Sequence, residues 1–138
     1  MEKLPSASKF SFWKTGTAQP DSILDKAKAI LKKVGGSETG RMLLYSNGRG
    51  GIVYAFEIKG ERFRVNWPYL SGSESDLPAI KIQAATFIYH EIKMRVNKIG
   101  IFPNRVIFFD WLILPSGQTV SETDGATAAF SDGLKLLS

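Results

Sequence analysis

The sequence predicts an α+β fold, in which two helices pack on one face of a mainly antiparallel sheet. Two segments carry apolar residues at helical spacing, and three segments between them alternate apolar and polar residues as strands do. A Lys-Gly pair stands where the second and third of these strands would turn. With two further strands after the second helix, the predicted order is α-β-β-β-α-β-β, followed by a short C-terminal helix.

The chain has 138 residues, which fits a single domain. Residues 1–19 are rich in Ser, Thr and Lys and contain an aromatic cluster, so we expect a flexible basic and aromatic arm there. Residues 20–122 form the expected α+β domain. Residues 123–138 form a tail or short helix, with the helical pattern weakest near its two Asp-Gly pairs.

The first helix is predicted to follow Pro20. Ser22 is the expected N-cap, and the apolar residues from Ile23 to Val34 recur on one helical face. Gly35 and Gly36 end the helix because glycine readily adopts the backbone conformation that closes a helix.

A three-stranded meander is predicted next, over about Arg41–Ser46, Ile52–Lys59 and Glu61–Trp67. If Lys59-Gly60 is a two-residue hairpin loop, the register of the last two strands is determined. The pairs are then Ile58 with Glu61, Glu57 with Arg62, Phe56 with Phe63, Tyr54 with Val65, and Ile52 with Trp67. This register gives the sheet one apolar face and one polar, net basic face.

The second helix is predicted from about Pro78 to Lys98, with Gln83 and His90 on its solvent side. Arg105–Leu114 is the most strand-like segment, and both of its faces are apolar, so we expect a central or covered strand. A short last strand is expected at Gln118–Ser121, before a weak helix near 126–137.

The formal net charge is +5, and the charge is unevenly distributed. Residues 1–70 carry twelve Lys or Arg against six Asp or Glu, whereas residues 71–138 carry six against seven. A basic half indicates an anionic partner, with DNA and RNA as the candidates.

Several classes of site are excluded by composition. The absence of Cys excludes disulfides and Cys-based zinc sites, and the single histidine, His90, excludes a two-histidine metal site within one chain. No motif indicates a cofactor, so we expect neither cofactor nor metal. No segment approaches the ~18 uninterrupted apolar residues of a membrane span, and no signal peptide is recognisable. We therefore expect a cytoplasmic protein without a membrane partner.

The combination of basic and aromatic side chains is the strongest functional signal. Proteins that bind single-stranded nucleic acids combine a cationic groove with rings on which bases stack. In the register above, Arg62 and Arg64 share the polar sheet face. We therefore predict a small non-enzymatic nucleic-acid-interacting protein. Its predicted binding residues are Arg41, Arg49, Arg62 and Arg64 on the sheet and its turn, and Lys9, Trp13 and Lys14 on the arm.

A magnesium-dependent nuclease is an alternative. Glu57-Ile58-Lys59 is an E-x-K motif on a strand, and with the order α-β-β-β-α-β it resembles the core of the restriction-endonuclease-like nucleases. The resemblance implies that Glu57 binds Mg²⁺ and that Lys59 orients the attacking water. The Asp that this family carries on a preceding strand is absent, since Glu38 is the only acidic residue between Asp25 and Glu57.

Asp110 is a further candidate catalytic residue, because it stands between Phe109 and Trp111 in the predicted apolar strand. As alternatives to a catalytic role, this carboxylate points outward or forms an ion pair with Arg95 or Arg105.

The order α-β-β-β-α also resembles the double-stranded-RNA-binding domain, over roughly residues 20–98. The resemblance implies phosphate-bridging lysines at the start of the second helix, where this chain offers Lys81.

A homo-oligomeric protein-interaction or structural module is the remaining alternative. Phe109, Trp111 and their neighbours give the predicted fourth strand more apolar surface than helices on one sheet face would cover. The arm, the C-terminal helix or a second subunit would have to cover this surface, and in the last case the strand mediates a homodimer.

Nucleic-acid binding by the basic sheet face leads to a specific prediction. Affinity for mixed-sequence DNA or RNA should fall steeply with salt, because each phosphate contact releases counterions, and should drop when Arg62 and Arg64 are replaced. A binding titration over a range of salt concentrations measures both effects. Undetectable affinity at low salt would contradict the prediction.

Overall fold

The computed structural model describes residues 4–15 and 18–123, which form an antiparallel three-stranded sheet and two main helices. In chain order the helices and strands are α1 (Pro20–Lys33), β1 (Gly36–Ser46), β2 (Arg49–Ile58), β3 (Glu61–Pro68), α2 (Leu77–Val96) and the short α3 (Asn104–Ile107). The sheet order is β1-β2-β3. The predicted α+β class is therefore confirmed, and the helix predicted near 126–137 lies outside the described residues.

The hairpin between β2 and β3 has the predicted register at every predicted pair. Lys59 and Gly60 have φ angles of 50° and 82°, which the two central residues of a type I′ turn require. Asn47 and Gly48, with φ angles of 53° and 76°, form the same kind of turn between β1 and β2. Each two-residue turn fixes which side chains of the following strand face the helices.

The core lies between one sheet face and the two helices. The alternate residues of β2 that face the helices are fully buried, each at 0% exposure: Ile52, Tyr54, Phe56 and Ile58. Leu24, Ala27 and Leu31 of α1 and Ala85, Ile88 and Ile92 of α2 pack against them from the helix side. Burial of these side chains contributes the larger part of the stabilising free energy, at about 25 cal/mol per Å² of apolar surface.

α1 begins three residues earlier than predicted. Gln19 is the N-cap and Pro20 the first helical residue, so Ser22, the predicted N-cap, lies inside the helix. Proline is well suited to the first position because an N–H there would have no partner within the helix.

Gln83 of α2 is buried at 1% exposure, although its sequence position suggested the solvent side. Its side-chain amide donates to the carbonyl oxygens of Ala7 and Ser11, each at 3.0 Å. Ala7 also donates its N–H to the carbonyl of Ser71 at 2.8 Å. The described part of the N-terminal arm therefore lies against α2 and the segment before it.

The predicted fourth strand at Arg105–Leu114 is wrong. This segment contains α3 and a 3-10 turn at Phe109–Trp111, and only its end pairs with the sheet, where the N–H of Ile113 donates to Arg62 at 2.9 Å. Pro103 is the N-cap of α3. The β-branched and aromatic residues of this segment have high strand propensity. Their buried positions are three residues apart, however, and the tertiary packing of these buried side chains overrides the propensity.

The predicted last strand at Gln118–Ser121 is also wrong, since only Thr119 forms a bridge, with Ile113. The carboxylate of Glu122 accepts a hydrogen bond from the N–H of Thr119 at 3.0 Å. This bond closes a turn instead of extending a strand, and a 3-10 turn follows at Ser121–Thr123.

The close approach of β1 and β2 at Gly50 gives the first test of the fold. A Cβ at this buried position would overlap the backbone carbonyl of Leu44 and crowd the Cα of Tyr45. We expect Gly50→Ala to lower the free energy of unfolding by about 1–3 kcal/mol, because backbone cannot move aside as a flexible side chain can. Urea denaturation measures this difference.

Gly40→Ala is the matched control, because a Cβ at Gly40 meets no atom within 4 Å. The control should stay within about 0.5 kcal/mol of the wild type. Equal unfolding midpoints for the two variants would show that the strands are not this close at Gly50.

Candidate functional site

Arg41 lies in β1 among carboxylates of α1 and β1. Its guanidinium donates to Glu38 at 2.6 Å, to Asp25 at 2.8 Å and to Asp21 at 3.3 Å. Burial alone would lower the pKa of Arg41, but hydrogen bonds and charge from Glu38, with hydrogen bonds to Asp25 and Asp21, outweigh burial and raise it above its ordinary value. This arginine therefore joins α1 to β1.

Arg62 and Arg64 lie on the sheet face opposite the helices but in different surroundings. Arg62 is exposed, whereas Arg64 donates to the carboxylate of Glu122 and to the carbonyl of Gly117. The other oxygen of Glu122 accepts a hydrogen bond from Asn66, and Glu122 is 1% exposed. The C-terminal segment thus covers this part of the face, so the two arginines do not stand side by side in water.

The arm residues lie near the start of α2. Lys14 Nζ is 3.0 Å from Asp76 and 5.1 Å from the centre of the Trp13 ring. Hydrogen bonds from Lys14 and Ser73 lower the pKa of Asp76.

The seven residues predicted to bind nucleic acids are spread over separate parts of the molecule. Arg41 lies on the helix side of the sheet, Arg62 and Arg64 lie on its opposite face, and Trp13 and Lys14 lie beside α2. Lys9 is exposed in the arm, and Arg49 is exposed at the first position of β2. The structure therefore does not gather them into one surface.

The residues of the nuclease alternative are also apart. Glu57 lies on the face opposite the helices, across from Arg62, and Lys59 is in the hairpin turn. Asp110 pairs with Arg95, which is one of the alternatives to a catalytic role that the sequence left open. Among residues 4–15 and 18–123, no three His, Asp or Glu side chains are placed to hold a metal ion.

An exposed apolar surface lies in the segment that joins α2 to the edge of the sheet. Four large apolar side chains are half or more exposed within nine residues: Ile101 at 73%, Phe102 at 51%, Val106 at 59% and Phe109 at 53%. We call these four residues the apolar patch. Single exposed apolar residues are ordinary, but several in one segment are typical of an interaction site.

The inner side of the same segment is anchored in the core. Phe108 is 0% and Trp111 is 5% exposed. The ring of Phe108 packs edge-on against Phe56, with the ring centres 5.1 Å apart. Phe109 faces outward between these two buried rings, so the segment has an inner apolar side and an outer one.

Arg95 of α2 holds this segment in place. It donates to both oxygens of Asp110, at 2.6 and 3.0 Å, and to the carbonyl of Ile107 at 3.2 Å. Its guanidinium carbon lies 4.0 Å from the centre of the Trp111 ring. Burial opposes the charged form, but the carboxylates of Asp110 and Glu91 outweigh it and raise the pKa of Arg95, so the cation persists.

A second tie joins the patch to the hairpin of β2 and β3. The Nε of Arg105 in α3 is 2.7 Å from a carboxylate oxygen of Glu61, the first residue of β3. The segment is therefore attached at α2, at the start of β3 and, through Ile113, at the sheet edge.

The dimer surface expected at Phe109 and Trp111 needs a correction. Trp111 is buried and cannot contribute to an interface without leaving the core, whereas Phe109 is available. Sequence reasoning missed Ile101, Phe102 and Val106. Their signal was the spacing of Phe102, Val106 and Phe109, which lie four and three residues apart around Pro103, as is typical of one side of a short helical segment.

No protein-family model, curated protein or solved structure matches this chain. Within the part of the chain that the structure describes, no helix is long and apolar enough to cross a membrane.

The role of Arg95 can be tested by substitution. Arg95→Ala removes the hydrogen bonds to Asp110 and Ile107 and the contact with Trp111. We expect a loss of about 1.5–3 kcal/mol in the free energy of unfolding, the range typical of hydrogen bonds to charged groups. The fluorescence of Trp111 should also change, as its ring loses this neighbour.

Arg105→Ala is the matched control, because its pair with Glu61 is largely exposed, with 64% of the Arg105 side chain accessible. We expect a change of about 0–1 kcal/mol for this pair. Equal losses for the two variants would contradict the anchoring role of Arg95.

Proposed function

We propose that this chain is a protein-interaction module whose docking surface is the apolar patch. The observation that carries the proposal is the exposure of Ile101, Phe102, Val106 and Phe109 on a segment whose other side is fixed in the core. Covering a large apolar side chain gains about 1.5–3 kcal/mol when it is fully buried, so a partner that covers these four has a substantial source of affinity.

The arrangement of the segment favours a pre-formed surface. Arg95 and Arg105 tie it to α2 and β3, and Phe108 and Trp111 fill the core beneath it. A partner therefore meets side chains whose backbone is already ordered, which lowers the entropy lost on binding.

A protein partner fits the patch better than a nucleic acid does. Bases stack on flat rings, and Ile101 and Val106, the two most exposed members, have none. Branched aliphatic side chains instead pack into the apolar pockets of another protein. Nucleic-acid binding by the arginines and the arm stays a prediction, supported by the net charge and by the exposure of Arg62.

A peptide selection tests the proposal. A random peptide library is selected on the wild-type chain and counter-selected on the double variant Val106→Ser, Phe109→Ser. We expect apolar-containing peptides that bind the wild type and lose at least about tenfold in affinity for the variant, since central aromatic contacts dominate such interfaces. The affinity of each synthesised peptide is measured by isothermal titration calorimetry.

Met42→Ser is the control, because Met42 is also exposed, at 41%, but lies on β1 away from the patch. Peptides that depend on the patch should bind this variant as they bind the wild type. Thermal unfolding checks that the patch variant is folded, as expected for exposed positions. Failure to select any peptide that distinguishes the wild type from the patch variant would overturn the proposal.

A further inference from the structure

We infer that the partner of the apolar patch is an acidic segment of another protein, and that a second copy of this chain does not occupy the patch. The inference rests on the proposed function, because it assigns the chemistry of the partner at that same surface. It depends on where the fold places the exposed lysines around the patch.

The patch lies at one end of the molecule, together with the turn between β2 and β3. The pair between Arg105 and Glu61 joins the patch segment to the first residue after that turn. Gly36, the first residue of β1, pairs with Ile58, the last residue of β2. The end of α1, three residues before Gly36, therefore reaches the same end of the sheet.

Cations dominate the exposed charge at this end. Lys98 lies three residues before Ile101, and its carbonyl accepts the N–H of Ile101 at 3.1 Å. Lys59 lies in the turn, two residues before Glu61. Exposed cations at this end include Lys32, Lys33, Lys59, Lys98 and Arg105. Two acidic side chains at this end, Glu61 and Asp110, already pair with Arg105 and Arg95.

The two α1 lysines also have a structural reason, since cations stabilise the negative end of a helix dipole. This reason does not extend to Lys59, which lies in a hairpin turn. Lys59 and Lys98 therefore add positive charge at the end of the molecule that carries the patch.

Self-association is disfavoured by the same charges. In a two-fold symmetric dimer each subunit offers the same surface, so two surfaces of net positive charge would be brought together. The chain as a whole carries +5, which adds to the repulsion. Carboxylates around an apolar stripe would instead complement the flanks of the patch and speed association.

Three synthetic probes test the inference. Each is a helical peptide with the same stripe of Leu and Phe, and the flanking positions hold Glu, Gln or Lys. We expect the Glu peptide to bind about tenfold or more tightly than the Gln peptide at low salt, and the Lys peptide to bind most weakly. The advantage of the Glu peptide should shrink as salt increases, because salt screens exposed charges.

Charge-reversed variants locate the effect. Lys59→Glu with Lys98→Glu should weaken the Glu peptide and strengthen the Lys peptide. Lys9→Glu with Lys28→Glu changes the net charge by the same amount at exposed positions on the arm and in mid-α1, and should leave the preference intact. Binding is measured by fluorescence anisotropy, and Phe109→Ser should weaken all three peptides.

The outcomes separate this inference from the proposed function. Equal binding of the Glu and Gln peptides through the patch overturns the inference and leaves the proposed function standing. Absence of patch-dependent binding by any peptide overturns both. A dimer detected by light scattering and lost in Phe109→Ser overturns the inference in favour of a second copy. Patch-dependent binding to anionic vesicles or to a mixed-sequence oligonucleotide, without binding to the Glu peptide, also overturns it.

Discussion

The guanidinium of Arg95 determines where the chain goes after α2. A planar cation that binds a carboxylate through two hydrogen bonds and covers an aromatic ring has little freedom of orientation. In this protein it fixes Asp110 and Trp111 relative to α2, and it also donates a hydrogen bond to the carbonyl of Ile107. Because these groups hold the inner side of the segment, Val106 and Phe109 are left on the outer side. The patch therefore follows from the way the core is closed.

The parts of the fold that local chemistry determines could be predicted from the sequence. The Lys59-Gly60 turn has two residues, and strand side chains alternate strictly, so a single choice of turn set every pair between β2 and β3. The prediction of a fourth strand failed for the opposite reason. Strand propensity in residues 105–114 is a local signal, whereas the ion pair between Arg95 and Asp110 spans fifteen residues and the packing of Phe108 on Phe56 spans more. Tertiary contacts of this kind override propensity.

The sites were harder to predict than the fold, because counting charges does not identify their partners. Arg41 stood out in the sequence as a cation, yet the fold brings Glu38, Asp25 and Asp21 to it. The partner of Arg64, Glu122, lies 58 residues away in the chain. A buried carboxylate at that position has to be compensated by a cation, and β3 supplies it. The apolar patch was visible only in part, as an excess of apolar residues around Phe109 that helices on one sheet face would not cover.

Apolar and charged side chains at the same end of a molecule have different roles in recognition. Ile101 and Phe109 offer surface that any apolar partner can cover, so they supply affinity with little selectivity. Lys59 and Lys98 add a condition on the partner, since cationic flanks penalise a basic surface through repulsion and uncompensated desolvation. In the proposed mode of recognition, the same flanks also oppose contact between the apolar side chains of two copies. An uneven charge distribution, weak as an indicator of nucleic acids, thus acquires a physical meaning when the fold shows which apolar surface the charges accompany.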